Sequence, residues 1–346
     1  MGEQGKEASH KPTNTSGDAM TKEKGIKAVV IGGGTGGFVI LSGLKNYANV
    51  ITAVVSMSDD GGSTGQLRDE LGVLPPGDIR QCLVALSESP KVRDLFNYRF
   101  DEGALKGHSF GNLFLTALEK MTGDFREGVR LSSEILQIKG RVEPITTDKV
   151  ILCIKDGKAM VRHEHNIDDR EFNLLRPEIW LDPKPTANPE ALKAIKEADI
   201  IVIAPGSLYT SLGAILVVPG VGTALKRAKG KKIYVSNLVN KPGQTDGFSP
   251  TDFADELERM AGEKFLDVVL YNNHRPNADL LKKYASDGEL PVEQPVRSES
   301  RKYKLNGANL LSDSFVKRGK GDKLKRTLIR HDSDKTARRI MKEFFS

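Results

Sequence analysis

Two glycine-rich loops carry most of the chemistry this chain could perform. The first, IGGGTGG, follows a β-branched run and opens a helical pattern, and its Gly32, Gly34 and Gly37 satisfy G-x-G-x-x-G. Glycines there permit a tight turn and let backbone N–H groups approach a phosphate, while the helix N-terminus adds partial positive charge. Gly33, Gly34, Thr35, Gly36 and Gly37 are therefore candidate ligand residues, Thr35 through its hydroxyl. The alternative is a glycine turn that only packs a strand on a helix. The second loop, SDDGGSTG, sets Asp59 and Asp60 side by side ahead of Gly61, Gly62 and Ser63. Adjacent carboxylates suit a hard cation, which makes Asp59 and Asp60 candidate ligands for Mg²⁺ together with substrate phosphates. The alternative is an Asx turn in which they bond their own backbone.

Further candidates fall at the starts of helices and the ends of strands. In PPGDIRQ, Asp78 reads as a helix cap, and Arg80 lies in the first turn, where it can face an anion. In KGHSFGN, His108 begins a helix whose first turn also holds Ser109 and Asn112; histidine can serve as base, phosphate donor or metal ligand. The segment APGSLYTSL offers Gly206 and Ser207 between a strand and a helix, a second anion cradle. Asn237 and Asn272 end two strands, where an amide can read a base or sugar edge or be satisfied by backbone. His163 and His165 in RHEH would share one face of a strand, but no third ligand is spaced nearby, so they read as surface. His274 and Arg275 lie in a loop after a strand.

The elements that must position these residues alternate strands with helical periodicity, which gives an α/β fold, Rossmann-like, with a mostly parallel sheet and helices on both faces. The runs 26–31, 50–57, 199–204, 232–237 and 266–272 are its strands, and TLIRH (327–331) is a last strand-like piece before a terminal helix that Asp332 can cap. A hairpin from VILCI (150–154) and AMVRHEH (159–165), with Asp156-Gly157 in a type I′ turn, adds a small antiparallel insertion within residues 140–185. Helical spacing puts Phe110, Leu113, Phe114, Ala117, Leu118 and Met121 on one face of a helix near 109–121, and makes Cys82 a core residue. Residues 1–25 lack an apolar stretch and read as a disordered tail, which leaves 26–346 as a single domain.

Composition narrows the classes. The 346 residues include 38% hydrophobic and 28% charged residues, a globular balance. No apolar run approaches the roughly 18 residues of a membrane span. Two cysteines without metal or disulfide spacing fit a reducing compartment, so a cytoplasmic protein is expected. The net charge of +6 collects in short runs, 226–232 and 317–326, without interleaved aromatics, so no nucleic-acid partner is expected.

The motifs GGGTGG, SDDGGSTGQLRDELGVLPPGDIRQCLVALS, GHSFGN, APGSLYTS, VSNLVNKPGQTDGFS and IRHD together resemble the gluconeogenesis factor family, relatives of the 2-phospho-L-lactate transferases, over residues 26–345. The resemblance implies a phospholactate-transferase-like core that binds UDP-sugars such as UDP-N-acetylglucosamine, a regulatory role in carbon metabolism and in wall and shape maintenance, and no established catalysis. It brings Tyr209, Thr210, Thr245 and Asp246 into the candidate ligand set and makes Arg330 a UDP-sugar contact, its guanidinium suited to a phosphate. Unidentified protein partners and a homodimer are also expected. In the transferase branch the same cleft takes a guanine nucleotide, a deazaflavin and a divalent metal; the loop DDGGSTG is similar to the factor branch instead. Three readings compete: a UDP-sugar-binding regulator, a metal-dependent transferase using a nucleotide-diphosphate-linked donor, and an NAD-dependent oxidoreductase. The last is weakened because the second strand ends in a glycine loop rather than a lone acidic residue.

Overall fold

In the computed structural model, residues 25–173, 176–286, 288–295, 301–313 and 329–346 are described. Residues 1–24 of the expected N-terminal tail, the basic run 317–326 and the start of TLIRH lie outside them. The chain begins with β1 (Lys27–Ile31), α1 (Gly34–Leu44) and β2 (Val50–Val55), followed by α2 (Gly62–Leu71), α3 (Gly77–Leu86), α4 (Pro90–Asn97), α5 (Phe110–Thr122), α6 (Phe125–Ile135) and β3 (Arg141–Pro144). An insertion follows, with β4 (Ile151–Asp156), β5 (Ala159–Arg162), the helical turn α7 (Glu164–Asp168) and β6 (Glu178–Asp182). The chain then returns through α8 (Pro189–Glu197) and β7 (Ile200–Ile203). A π-helical stretch (Leu208–Gly213) runs into α9 (Ala214–Leu216), and α10 (Val221–Arg227), β8 (Lys231–Val235), α11 (Pro250–Ala261), β9 (Val268–Asn272), α12 (Ala278–Ser286), β10 (Lys304–Ala308) and α13 (Ser333–Phe345) complete it.

The main sheet has the order β10-β9-β8-β7-β1-β2-β3, and all its pairings are parallel. Strands buried on both faces need near-continuous apolar runs, and KAVVI, VITAVV and IIVI supply them. Their period-2 alternation feeds two separate cores. Val29, Ile31, Ile201 and Ile203 face the core shared with the insertion and with α8, α10 and α11. Ala28, Val30, Ile200 and Val202 face the core under α1, α3 and α13, which also holds the fully buried Cys82. The chain works outward from β1 to β2 and β3, then crosses back to β7 and works outward the other way. The strand order therefore reverses between β1 and β7, where open α/β sheets bind ligands at the carboxyl ends of their strands.

Several expectations are corrected. The insertion is a three-stranded antiparallel sheet, β5-β4-β6, not a bare hairpin. β6 hides between Pro177 and Pro183. The β4–β5 turn has positive φ at Gly157 (64°) and not at Lys158, the pattern of a type II′ rather than a type I′ turn. β5 ends at Arg162, so His163 and His165 do not share a strand face: His163 takes φ 77° and His165 lies in α7. The α5 face is also rotated from the expected one: Gly111, Asn112, Leu115, Thr116 and Leu118 are buried, whereas Met121 is 69% exposed. Phe110 and Phe114 remain partly buried because each packs edge-on against Phe96 of α4. At the far end, His331 pairs with Leu311 in an isolated bridge, and the Asp332 side chain caps α13 by accepting from the Lys335 N–H at 2.8 Å. Among the described residues no single helix is long and apolar enough to cross a membrane; the bent pair Leu208–Leu216 and Val221–Arg227 passes by length and composition only.

Candidate functional site

The switch point is built by close backbone approach. The Gly32 N–H donates to the Val54 carbonyl, tying the first loop to β2, and the Gly37 N–H donates to the Gly33 carbonyl. A Cβ on Gly36 would lie 1.7 Å from the Pro205 carbonyl oxygen, so α1 starts directly against the loop that follows β7. Gly34 has φ +60° and open space around it. The acceptor on its N–H is Asp78 Oδ1, at 2.8 Å. Asp78 was expected to cap α3, but the helix already begins at Gly77 with Pro76 as N-cap, which moves Asp78 into the first turn and turns it to the first glycine loop.

Asp59 reaches the same place from the end of β2. Its Oδ1 accepts from the Gly61 N–H at 3.1 Å, the Asx turn foreseen as an alternative, and a Cβ on Gly77 would stand 2.6 Å from its Oδ2. Burial raises the Asp59 pKa above the usual carboxylate value. Burial, with Asp59 adding like charge, pushes Asp78 to about 7. Glu164 of α7 is pushed to about 8, first by burial and then by Asp59, Asp168, Asp60 and Asp78. Such clustering of raised acids is characteristic of functional sites.

The adjacent carboxylates expected to share one cation point apart. Asp60, 7% exposed, turns to the insertion. It accepts from His163 Nδ1 at 3.0 Å, His165 Nδ1 at 2.9 Å, the His165 N–H at 2.9 Å and the Glu164 N–H at 3.2 Å, with Arg68 at 3.4 Å. Burial works against its charge, but these bonds prevail and hold its pKa below the ordinary value. With its oxygens filled, Asp60 has no lone pair directed to an ion shared with Asp59. Asp59 and Asp78 are the carboxylates that would remain for a cation, and two carboxylates plus phosphate oxygens is a mode Mg²⁺ accepts. Among the described residues no group of three or more His, Cys, Asp or Glu side chains is arranged to hold a metal ion.

Four expected residues from three helices meet beside this loop. Ser63 Oγ lies 3.0 Å from His108 Nδ1, Asn112 Nδ2 lies 3.4 Å from Ser63 Oγ, and Arg80 Nε donates to Asn112 Oδ1 at 2.9 Å. Arg80 Nη1 also donates to Asn97 Oδ1 at 2.7 Å. Ser109, whose hydroxyl accepts from the Asn112 N–H, caps α5 and fixes where Asn112 stands, with His108 just ahead of the helix.

Across the switch point, the Asn237 amide bonds both sides of Gly206, donating to its carbonyl at 2.9 Å and accepting from its N–H at 3.2 Å. That amide holds the β7 loop, as the backbone-satisfied alternative had it. Beyond it a pocket of about 320 Å³ opens past the ends of β8 and β9, lined by Asn237, Leu238, Tyr271, Asn272, His274 and Arg275 among others. This is the lower end of the range for ligand sites. Asn272 Oδ1 accepts from the Leu310 N–H at 3.2 Å. The Arg330 carbonyl accepts from Ser312 N–H, and buried His331, its pKa pushed down to about 4 by burial, contacts Ser236 at the end of β8. Arg330 thus stands beside the same sheet end.

Other expected ligands sit elsewhere. Tyr209 is fully buried, its ring 5.2 Å from that of Phe172 and its hydroxyl facing Glu256. Buried Thr210 donates to Asp168 Oδ1 at 3.0 Å. Thr245 and Asp246 accept from Lys241 N–H and Gly243 N–H within their own turn. Ser207 is the N-cap of the π-helical stretch and makes no side-chain cap bond.

Asp78 makes a measurable prediction. Above pH 3.8 the unfolded carboxyl ionises while the folded one keeps its proton until about pH 7, so this group lowers stability as pH rises through that window. Asp78→Asn cannot ionise and keeps an oxygen to accept from the Gly34 N–H. It is expected to stabilise the ligand-free protein at pH 8 by about 2 kcal/mol, roughly half the full conversion because the residue is only partly buried. Urea unfolding at pH 8 and pH 4 checks this: the gain should be absent at pH 4, and an equal gain at both would detach it from Asp78 ionisation.

An open parallel sheet with glycine loops closing on its switch point defines a Rossmann-like α/β protein. The family model 2-phospho-L-lactate transferase CofD matches residues 28–316, and the chain belongs to that family. It is 39% identical over 316 residues to the gluconeogenesis factor of Bacillus subtilis, covering 90% of this chain and 96% of that one. To the gluconeogenesis factor of Halalkalibacterium halodurans it is 39% identical over 326 residues, covering 92% and 96%. A crystal structure of a UPF0052 family member from Bacillus halodurans superposes with a TM-score of 0.83 at 34% identity, covering 92% of this chain and 99% of that one.

Proposed function

We propose that the cleft binds a UDP-sugar, UDP-N-acetylglucosamine or UDP-glucose, and that the protein acts as a gluconeogenesis factor: a cytoplasmic regulator supporting growth, cell shape and wall maintenance on gluconeogenic carbon sources. The observation that carries this reading is the apposition of the two anion-friendly loops at the switch point, Gly36 against Pro205, with a ligand-sized pocket one and two strands further along. Helix and loop N–H groups suit diphosphate oxygens, and the reading assigns the base or sugar to the pocket beside Tyr271 and Asn272, with Arg330 near the same sheet end. Mg²⁺, if used, would be held by Asp59 and Asp78 with the ligand's phosphates, and would supply charge neutralisation beside Gly34. Regulation requires that the ligand bind two conformations unequally, so that a protein partner or the second subunit of a homodimer reads its occupancy.

The buried acids favour a second reading, a metal-dependent transferase using a nucleotide-diphosphate-linked donor, in line with the family's description. A thermal-shift panel of UDP-N-acetylglucosamine, UDP-glucose, GDP and NAD, with and without Mg²⁺, separates the two. A ligand at 100 times its Kd stabilises by about 2.7 kcal/mol, a shift of a few degrees in a chain of this size. The regulator reading expects the shift from UDP-sugars, weakened in Arg330→Ala by about 1.5 to 3 kcal/mol of binding energy. A shift from GDP with Mg²⁺ alone would install the transferase instead.

A further inference from the structure

We propose that Ser63 is an activated nucleophile with His108 as its base, able to attack phosphorus in a phosphoanhydride or phosphate ester. The polarity of the side-chain chain behind it carries the argument. A guanidinium only donates, so the Asn112 oxygen must be the atom facing Arg80 Nε, at 2.9 Å. The Asn112 NH₂ is then directed to Ser63 Oγ, at 3.4 Å, and the serine oxygen accepts there. Among the described residues, the acceptor within reach of the Ser63 proton is His108 Nδ1, at 3.0 Å. A ring nitrogen that accepts is the unprotonated one, so neutral His108 carries its proton on Nε2 and presents Nδ1 as a base. This is the hydroxyl-to-base contact that activates serine nucleophiles, with Arg80 and Asn112 fixing the serine from behind.

The surroundings suit the chemistry. Ser63 is the second residue of α2, where the Gly62 and Ser63 N–H groups precede the first helical bonds, which Thr64 and Gly65 make to the Gly61 carbonyl, and favour developing negative charge. It is partly exposed, and it shares its loop with Asp59 at the switch point. In the step, Ser63 Oγ bonds to phosphorus as the bond from phosphorus to the leaving oxygen breaks. The serine proton passes to His108 Nδ1, and the leaving oxygen departs with the bonding electrons and takes that proton. Water, giving a proton to His108, then bonds to phosphorus as the bond from phosphorus to Ser63 Oγ breaks, and Oγ leaves with the bonding electrons and takes that proton back from His108. The substrate class rests on the reading of the cleft as a nucleotide-diphosphate site; the nucleophile does not.

A fluorophosphonate probe tests the nucleophile without any nucleotide, since Ser63 would displace fluoride and keep the phosphonyl group. Peptide mass mapping of the full chain is expected to find the probe on Ser63. The labelling rate should fall about a hundredfold in His108→Gln, the share a general base supplies, with the melting temperature recorded to confirm folding. An unlabelled Ser63 in the wild-type protein, or a His108→Gln variant labelled at the wild-type rate, overturns the proposal. Adding UDP-N-acetylglucosamine should slow labelling of the wild type; labelling that it leaves unchanged keeps the nucleophile and removes the nucleotide reading.

Discussion

Replacing Gly36 by alanine is expected to cost more than about 4 kcal/mol, in the exceptional tail of single substitutions. Gly36 is an ordinary helical residue, so backbone strain is not the cause. The cause is the Pro205 carbonyl oxygen, which the new methyl would meet at 1.7 Å, with the carbonyl carbon at 2.7 Å. Backbone atoms cannot rotate aside as a side chain can. Either α1 lifts off the sheet, uncovering Ile40, Leu41 and Leu44, or the β7 loop breaks its bonds to Asn237. Gly34→Ala is the control: open space surrounds it, and its φ of +60° alone costs about 1 to 2 kcal/mol. Urea unfolding of the two variants should rank them in that order, and near-equal losses would mean that the loops are not rigidly apposed.

Asp60→Ala is expected to destabilise by about 3 to 5 kcal/mol, the usual result of removing one partner from a buried charged network. The loss is of four hydrogen bonds and a contact with Arg68 that together join the second glycine loop to the insertion. Without Asp60 the Glu164 and His165 N–H groups lose their acceptor, and His163, at φ 77°, loses its side-chain bond. Hydrogen exchange in residues 157–168 should therefore quicken more than in the main sheet. Because the folded Asp60 pKa is depressed, its stabilisation is present above the unfolded value of 3.8 and is lost as pH falls below it. Unchanged exchange in the insertion would show that other contacts hold it in place.

The strands of the main sheet were legible because burial on both faces writes them as unbroken apolar runs. So were Ser63, Arg80, His108 and Asn112, since each begins or precedes a helix next to a turn motif, although nothing in their spacing says that they touch across 45 and 49 residues. The joining of Asp60 to His163 and His165, more than 100 positions away, was not legible. RHEH alternates like a strand, but His163 takes a positive φ, His165 lies in a helical turn, and both rings meet one carboxylate. Asp78 misled for a different reason: an aspartate after Pro-Gly is a good cap, but Gly77 starts the helix one residue early and the carboxylate swings to Gly34. β6 was masked by its flanking prolines, which set its limits without interrupting it.

Hydrogen exchange with saturating UDP-N-acetylglucosamine reports where a ligand sits as well as whether it binds. Slowed exchange in residues 32–37, 204–207 and 271–276 together is the expected result, with the two loops holding the diphosphate and the β9 end holding the remainder. Unchanged exchange in residues 32–37 and 204–207, with or without protection elsewhere, would contradict the placement of a nucleotide sugar at the switch point.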